Sequence, residues 1–253
     1  MSESSVKPVP TDTPNFRVRR VVTSRSGGVS AEPYGSFNLG DHVGDDPVAV
    51  EANRRRLARE IGVPFDHLIW MEQIHSRNVT VVSGPSDSPI EATDALVTTV
   101  PGLALATLSA DCVPVLLSDD EAGVIAAVHA GRIGARIGIV PRVLDVMVEQ
   151  GARRERIGAF IGPAASGRQY EVPADMQADV ERHLPGSATR TAKGTPGLDL
   201  RAGLRQQLLD AGISGVAEDP RCTIEDETLF SHRREALTGR LAAVIWMDRG
   251  SVS

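Results

Sequence analysis

The sequence predicts an α/β fold with more strands than helices, and three observations carry that reading. Between residues 67 and 130, six apolar segments (HLIWM, NVTVVS, DALVTT, LALATL, VPVLLSD and GVIAAVHA) follow at short intervals, each of strand length. Ahead of them, DDPVAVEANRRRLAREIG carries helix boundary signals at both ends: Asp46 as N-cap, Pro47 at the first helical position and Gly62 beyond the last. After them, the helical patterns IGIVPRVLDVMVEQGA, DMQADVERHL and LRAGLRQQLLDAG alternate with two more buried-strand runs, RIGAFIGP and RLAAVIWM.

In chain order, residues 1–15 are rich in Ser, Pro and Thr and read as a disordered lead. FRVRRVVTS then alternates as a strand, and SGGVSAEPYGSFNLGDHVG is a long turn-rich loop, of a length that is usually functional inside a compact domain. No low-complexity linker or short-period repeat interrupts the rest of the chain, so residues 16–248 are expected to form one catalytic domain, with 249–253 a tail.

The chain has 253 residues, 41% of them hydrophobic and 24% charged, a soluble globular composition. A formal charge of -6 argues against a nucleic-acid surface, because phosphate backbones are bound through a net basic field. No run approaches the ~18 apolar residues of a spanning helix, and the first residues lack the apolar core of a signal peptide. The expected setting is therefore the cytoplasm, away from membranes. Its two cysteines are expected to be reduced there, each to be explained as packing or as chemistry.

Three residues stand at element ends: His75 between two strands, Cys112 at the start of one and His129 at the end of another. Converging strand ends would give two imidazoles and a thiolate, a tetrahedral site with one open position for water, and zinc is the better match to that donor set. The bland alternative stands beside it. A lone His or Cys is more often a packing residue, and these separations match no compact ligand pair. Blue copper also uses His, His and Cys, with Met71 a candidate axial ligand. A multicopper centre needs more imidazoles than this chain offers, so polyphenol oxidation is not expected.

Read in order, SFNLGDHVGDD, ANRRRL, MEQIHSRNV, TDALVTT, LATLSADCVPVLL, AAVHAG, IGPAASGRQYEV, LDL and CTIEDETLFSHRREALTGRLAAVIWM span nearly the whole chain. Together they resemble the YfiH/YlmD-like family, also called laccase-domain proteins, polyphenol oxidases and peptidoglycan editing factors. The resemblance implies a four-layer α/β/β/α fold with mixed sheets, related to the deamidase domain of cytotoxic necrotizing factor toxins. It also implies a zinc site that maps onto His75, Cys112 and His129. The implied activity is purine nucleoside phosphorolysis of adenosine, inosine and methylthioadenosine, combined with adenosine deamination. Two positions depart from the pattern: the usual HAGWRG reads HAGRIG, placing Arg132 and Ile133, and the usual IGPCI reads IGPAA, placing Ala164.

Chemistry then suggests roles. Deamination needs a group to protonate the leaving amine, and Asp111, Glu171 and Glu72 are the acids nearest the motifs. Phosphorolysis needs cations for phosphate: Arg54 to Arg56 on the capped helix, and Arg233, Arg234 and Arg240 near the C-terminus. Position within the matched motifs favours Arg54, Arg233 and Asn38, with His232 orienting substrate. Cys222 reads as a small buried side chain. The expected partners are a purine nucleoside and phosphate, and the expected state is a monomer or weak homo-oligomer. Two rival readings remain: an amide hydrolase, by zinc or by Cys112 as nucleophile, acting on peptidoglycan precursors, and a non-catalytic protein with structural zinc.

Overall fold

A computed structural model describes residues 16–249. The expected lead, residues 1–15, and residues 250–253 of the expected tail lie outside the described residues. The elements run β1 (Phe16–Val22), α1 (Pro47–Ile61), β2 (Leu68–Ile69), β3 (Val79–Val81), β4 (Ala95–Thr98), β5 (Ala104–Ser109), β6 (Val113–Asp119) and β7 (Val124–Ala130). They continue with α2 (Arg132–Arg136), α3 (Ile139–Glu149), β8 (Gly158–Ile161), α4 (Ala174–His183), β9 (Ala188–Arg190), β10 (Pro196–Leu198), α5 (Leu200–Asp210), β11 (Gly215–Glu218), α6 (His232–Glu235) and β12 (Leu241–Arg249).

Two mixed sheets form the centre. One has the order β1-β12-β5-β2 and the other β11-β8-β6-β7-β4-β3, while β9 and β10 pair separately. In the first, β12 is antiparallel to both β1 and β5, and β2 joins parallel to β5. In the second, β6 and β7 pair antiparallel at the middle, with parallel pairs at both edges.

Strand alternation sorts the apolar side chains into layers, because successive residues point to opposite faces. Leu105, Ile245, Leu116, Ile125 and Ala127 meet between the sheets. Their neighbours Ala104, Ala106 and Val244 face outward against Leu57 and Ala58 of α1. Val115, Ala126 and Val128 face the other way, against Val143, Leu144 and Met147 of α3 and Leu204 of α5. The result is the expected α/β/β/α arrangement. Each fully buried leucine contributes about 1.5–3 kcal/mol by leaving water.

The first helix is bounded as its sequence predicts. The Asp46 side chain accepts from the Val48 N–H, and Gly62 takes a left-handed φ of +77° that favours glycine. The five elements without a sequence expectation are α2, α6, β9, β10 and β11, none longer than five residues. Segments this short are held by neighbours rather than by their own periodicity.

Candidate functional site

The three expected ligands come together. His75 lies in the turn after β2, Cys112 directly before β6, and His129 near the end of β7, with their ligating atoms all within 4.8 Å of one another. The two imidazoles meet edge to face, ring centres 4.8 Å apart. Cys112 and Cys222 are both free thiols.

What organises the cluster is Asp94, a residue that no sequence motif singled out. Its carboxylate is fully buried at the start of β4. Oδ1 accepts from His129 Nδ1 at 2.8 Å and from the His75 N–H at 3.0 Å. Oδ2 accepts from the Ser76 N–H at 2.6 Å and its hydroxyl at 2.7 Å. One acid thus pins the turn that carries the first ligand and the ring that supplies the third. With Nδ1 committed as donor, His129 presents Nε2 to the cluster, the orientation metal-ligating histidines take. Asp94 was legible only as the acid in TDALVTT ahead of an apolar strand, a placement with many unremarkable readings.

The electrostatics follow from burial and neighbours. Burial opposes the Asp94 charge, but donation from His129 and Ser76 outweighs it and holds the carboxyl below its ordinary value. Burial also opposes charge on His129, yet Cys112 and Asp94 push its pKa up to about 9, so a metal ion held there displaces the Nε2 proton. His75 is lowered by burial, then by His129 and Arg132, against the Asp94 carboxylate, a balance that favours its neutral ring.

Gly131 lies two residues after His129 and closes one side of the cluster. A Cβ at this position would lie 2.5 Å from His75 Nδ1 and 3.1 Å from Cys112 Sγ. Only glycine leaves the two ligands room. Two nitrogens and a thiol, one ring fixed by a carboxylate and the space kept clear by a glycine, are a donor set that can hold a metal ion. Among the described residues no other group of this kind is present.

The cluster opens into a cavity of about 250 Å³ lined also by His42, Gln73, His232 and Arg240. Gln73 clamps the turn by donating to the Leu108 carbonyl and accepting its N–H. His232 donates Nδ1–H to the Ala236 carbonyl at 2.7 Å, which leaves Nε2 an acceptor. Arg240 spends one terminal nitrogen on the Thr238 and Gly239 carbonyls, while its backbone N–H donates to Asn38 Oδ1. His42 and Gln73 also line a neighbouring cavity of about 720 Å³, together with Met71, Glu72, Ile74 and Glu91. A shallow depression of about 740 Å³ around Arg25 and Glu235 contains none of the cluster.

The other expected site residues divide. Asn38 and Arg54 do not reach the cavity. Asn38 is fully buried and ties Gly40, Asp45 and Arg240 together. Arg54 donates to the Leu39 carbonyl, pairs with Asp41 at 3.2 Å and stacks on Trp70. Both are consumed in fixing the long loop after β1, as is Asn53 of α1, which donates to Ser30, Ser36 and Asn38. Glu171 is exposed and lines none of these cavities; its N–H donates to the Gln169 carbonyl, its own carbonyl accepts from Arg233, and its carboxylate has no hydrogen-bond partner among the described residues.

Asp111 does lie at the site, with an unusual φ of +88°. Its carboxylate accepts three hydrogen bonds: Oδ1 takes the Thr223 and Ser231 hydroxyls at 2.6 and 2.7 Å, and Oδ2 takes the Arg233 N–H at 2.6 Å. It therefore ties α6, with His232 and Arg233, to the ligand turn, an anchoring task that engages both of its oxygens. Arg234 turns inward to the Thr223 and Leu229 carbonyls and Glu235. Cys222 is buried, as expected.

Residues 19–248 match the family described as multi-copper polyphenol oxidoreductase laccase. A purine nucleoside phosphorylase of Corynebacterium glutamicum is 62% identical over 240 residues, covering 94% of this chain and 98% of that protein. One of Mycobacterium tuberculosis is 57% identical over 239 residues, covering 94% and 96%. Among solved structures, the hypothetical protein YfiH of Bacillus licheniformis superposes with a TM-score of 0.85 at 30% identity, over 93% of this chain and 97% of that one. YlmD of Geobacillus stearothermophilus does so with a TM-score of 0.85 at 33% identity, over 91% and 92%.

Proposed function

This chain belongs to the multi-copper polyphenol oxidoreductase laccase family, and we propose that it is a zinc-dependent purine nucleoside phosphorylase that also deaminates adenosine. The observation that carries this is the His75, Cys112 and His129 cluster, backed by Asp94, opening into one cavity with Arg240 and His232. The names of the relatives at 57–62% identity supply the substrate class.

Zinc suits the donors better than copper. A multicopper centre needs many imidazoles, and of the four histidines outside the cluster His67 faces the Gly102 carbonyl and His183 the Asp179 carbonyl, leaving only His42 and His232 on the cavity wall. When bound by His75, Cys112 and His129, zinc would supply a Lewis acid and a water that ionises near neutral pH. The protein's own groups do the rest. Arg240 is the cation on the wall of the cluster's cavity and takes the phosphate. His232 offers Nε2 as acceptor to a substrate hydroxyl or N–H. In the adjoining cavity Met71 and Ile74 give the purine ring an apolar wall, and Glu72 and Glu91 give its N–H groups acceptors. Glu72, which lines that cavity and accepts the Ala92 N–H, is the acid we assign to the leaving amine, in preference to Asp111 or Glu171. Asn38, Arg54 and Asp111 act through the loops they hold.

The test is product analysis of zinc-loaded protein with adenosine, with and without phosphate, beside Cys112→Ala. Phosphate-dependent adenine and ribose 1-phosphate from the wild type alone support phosphorolysis, and phosphate-independent inosine supports deamination. Neither product, or full activity in Cys112→Ala, rejects the reading.

A further inference from the structure

Next to Cys112, and apart from Arg240, lies a second cavity, of about 140 Å³, that phosphorolysis and deamination of nucleosides leave unused. Ala110, Asp111, Cys112, Arg132, Tyr170, His232 and Arg233 line it with Ala165 and Leu200. Three of these, Ala110, Cys112 and His232, also line the cavity of the metal-ligating cluster. The volume is below the ~300 Å³ at which pockets begin to enclose whole small-molecule ligands. It suits one group of a larger ligand, or one small anion.

Its charge is cationic and uncommitted. Arg132 has no hydrogen-bond or ion-pair partner among the described residues. The Arg233 guanidinium lies over the Tyr170 ring at 4.9 Å and donates only to the Glu171 carbonyl. The one acid in the wall, Asp111, already accepts three hydrogen bonds from protein donors. Two arginines lining a small space whose only carboxylate is engaged by three protein donors are a site for a group with several acceptor oxygens.

We propose that the cavity between Arg132, Tyr170 and Arg233 is a phosphate-group subsite, so that the cleft holds two anions, one beside Arg240 and one here. The ligand chemistry is a phosphate group with two sources: the 5′-phosphate of a purine nucleoside monophosphate whose purine and ribose lie toward the cluster, or a second inorganic phosphate. The first source makes nucleoside monophosphates substrates. Phosphate oxygen would bond to the anomeric carbon as the bond to the purine nitrogen breaks, the purine would leave with a proton, and ribose 1,5-bisphosphate would be the second product. The proposal rests on the phosphorylase reading only for the choice of a purine ligand.

The experiment is calorimetric titration of the zinc-loaded full chain with adenosine, adenosine 5′-monophosphate and inorganic phosphate, for wild type, Arg132→Gln and Arg132→Lys. The expected result is that the wild type binds the monophosphate about tenfold or more tightly than adenosine, that Arg132→Gln brings this ratio close to one, and that Arg132→Lys restores part of it. A monophosphate with no advantage, together with an inorganic phosphate affinity that falls in Arg132→Gln and returns in Arg132→Lys, assigns the subsite to free phosphate. Affinities that ignore both substitutions overturn the subsite. Binding needs no turnover, so a wild type that prefers the monophosphate but releases no adenine with phosphate would reject the phosphorylase reading and keep the subsite.

Discussion

The Nδ1–H of His129 donates to Oδ1 of Asp94 across 2.8 Å, between a ring and a carboxylate that are both buried. The same carboxylate receives the N–H groups of His75 and Ser76, so two of the three ligands share one support. Asp94→Asn puts an amide where an acceptor is needed by several donors. Zinc affinity, measured by competition with a chromogenic chelator, is expected to fall about 10- to 100-fold. An unchanged affinity would separate Asp94 from the metal site.

Gly131 is where space rather than charge decides. A methyl group there meets His75 and Cys112 within 3.1 Å, while the backbone itself is ordinary, with a φ of -67°. Gly131→Ala is expected to fold, as judged by circular dichroism, yet to carry well under one zinc per chain. Full zinc occupancy by elemental analysis would show that the ligands have room to yield.

Arg240 is assigned the phosphate because it shares the ligands' cavity and is held from behind by Asn38. In Arg240→Gln the KM for phosphate is expected to rise about tenfold or more, the loss that accompanies removal of a charge-assisted contact. The KM for adenosine should rise less. Equal increases for the two substrates would mean that Arg240 supports the cleft as a whole.

Alkylation distinguishes a ligand thiol from a nucleophile. Cys112 is half-buried beside the open cavity, and Cys222 is buried away from it. Iodoacetamide is expected to modify Cys112 only after a chelator strips the zinc, with Cys222 unreactive in both states. Mass spectrometry showing equally fast modification of the loaded enzyme, with loss of activity, would instead make Cys112 the nucleophile.

Asp119 gives a pH dependence remote from the cluster. It ends β6 fully buried, and although burial disfavours its charge, the Arg153 and Ala122 N–H groups and the Arg156 guanidinium hold its carboxyl below the ordinary 3.8. A lowered folded value means that its stabilisation is complete above 3.8 and is lost as pH falls through the folded value. Asp119→Asn should destabilise by about 1–3 kcal/mol at pH 7. The gap to the wild type in urea melts should hold down to about pH 4 and shrink below it. A gap that grows on acidification would contradict the assignment.

The layers of this protein were readable in its sequence because each is written in neighbouring residues. The near-continuous apolar runs LALATL and GVIAAVHA forecast strands buried on both faces, and Asp46, Pro47 and Gly62 mark the first helix to the residue. The candidate ligands were legible as residue types at strand ends, and the family resemblance named the same three. Local pattern lacks information on partners distant in the chain. Asp94 is 35 positions from His129, Asp111 is 120 from Ser231, and Asn38 is 202 from Arg240. Those contacts tie Asn38 and Arg54 into the long loop after β1, leave Glu171 off the cavity walls, and bring Arg132 and Arg240 into separate cavities that share Cys112. Secondary structure and burial arise from short-range geometry and the hydrophobic effect, which a linear sequence carries. Which carboxylate is engaged by protein donors and which guanidinium stays free depends on the pairing of strands far apart in sequence, and only the folded chain decides it.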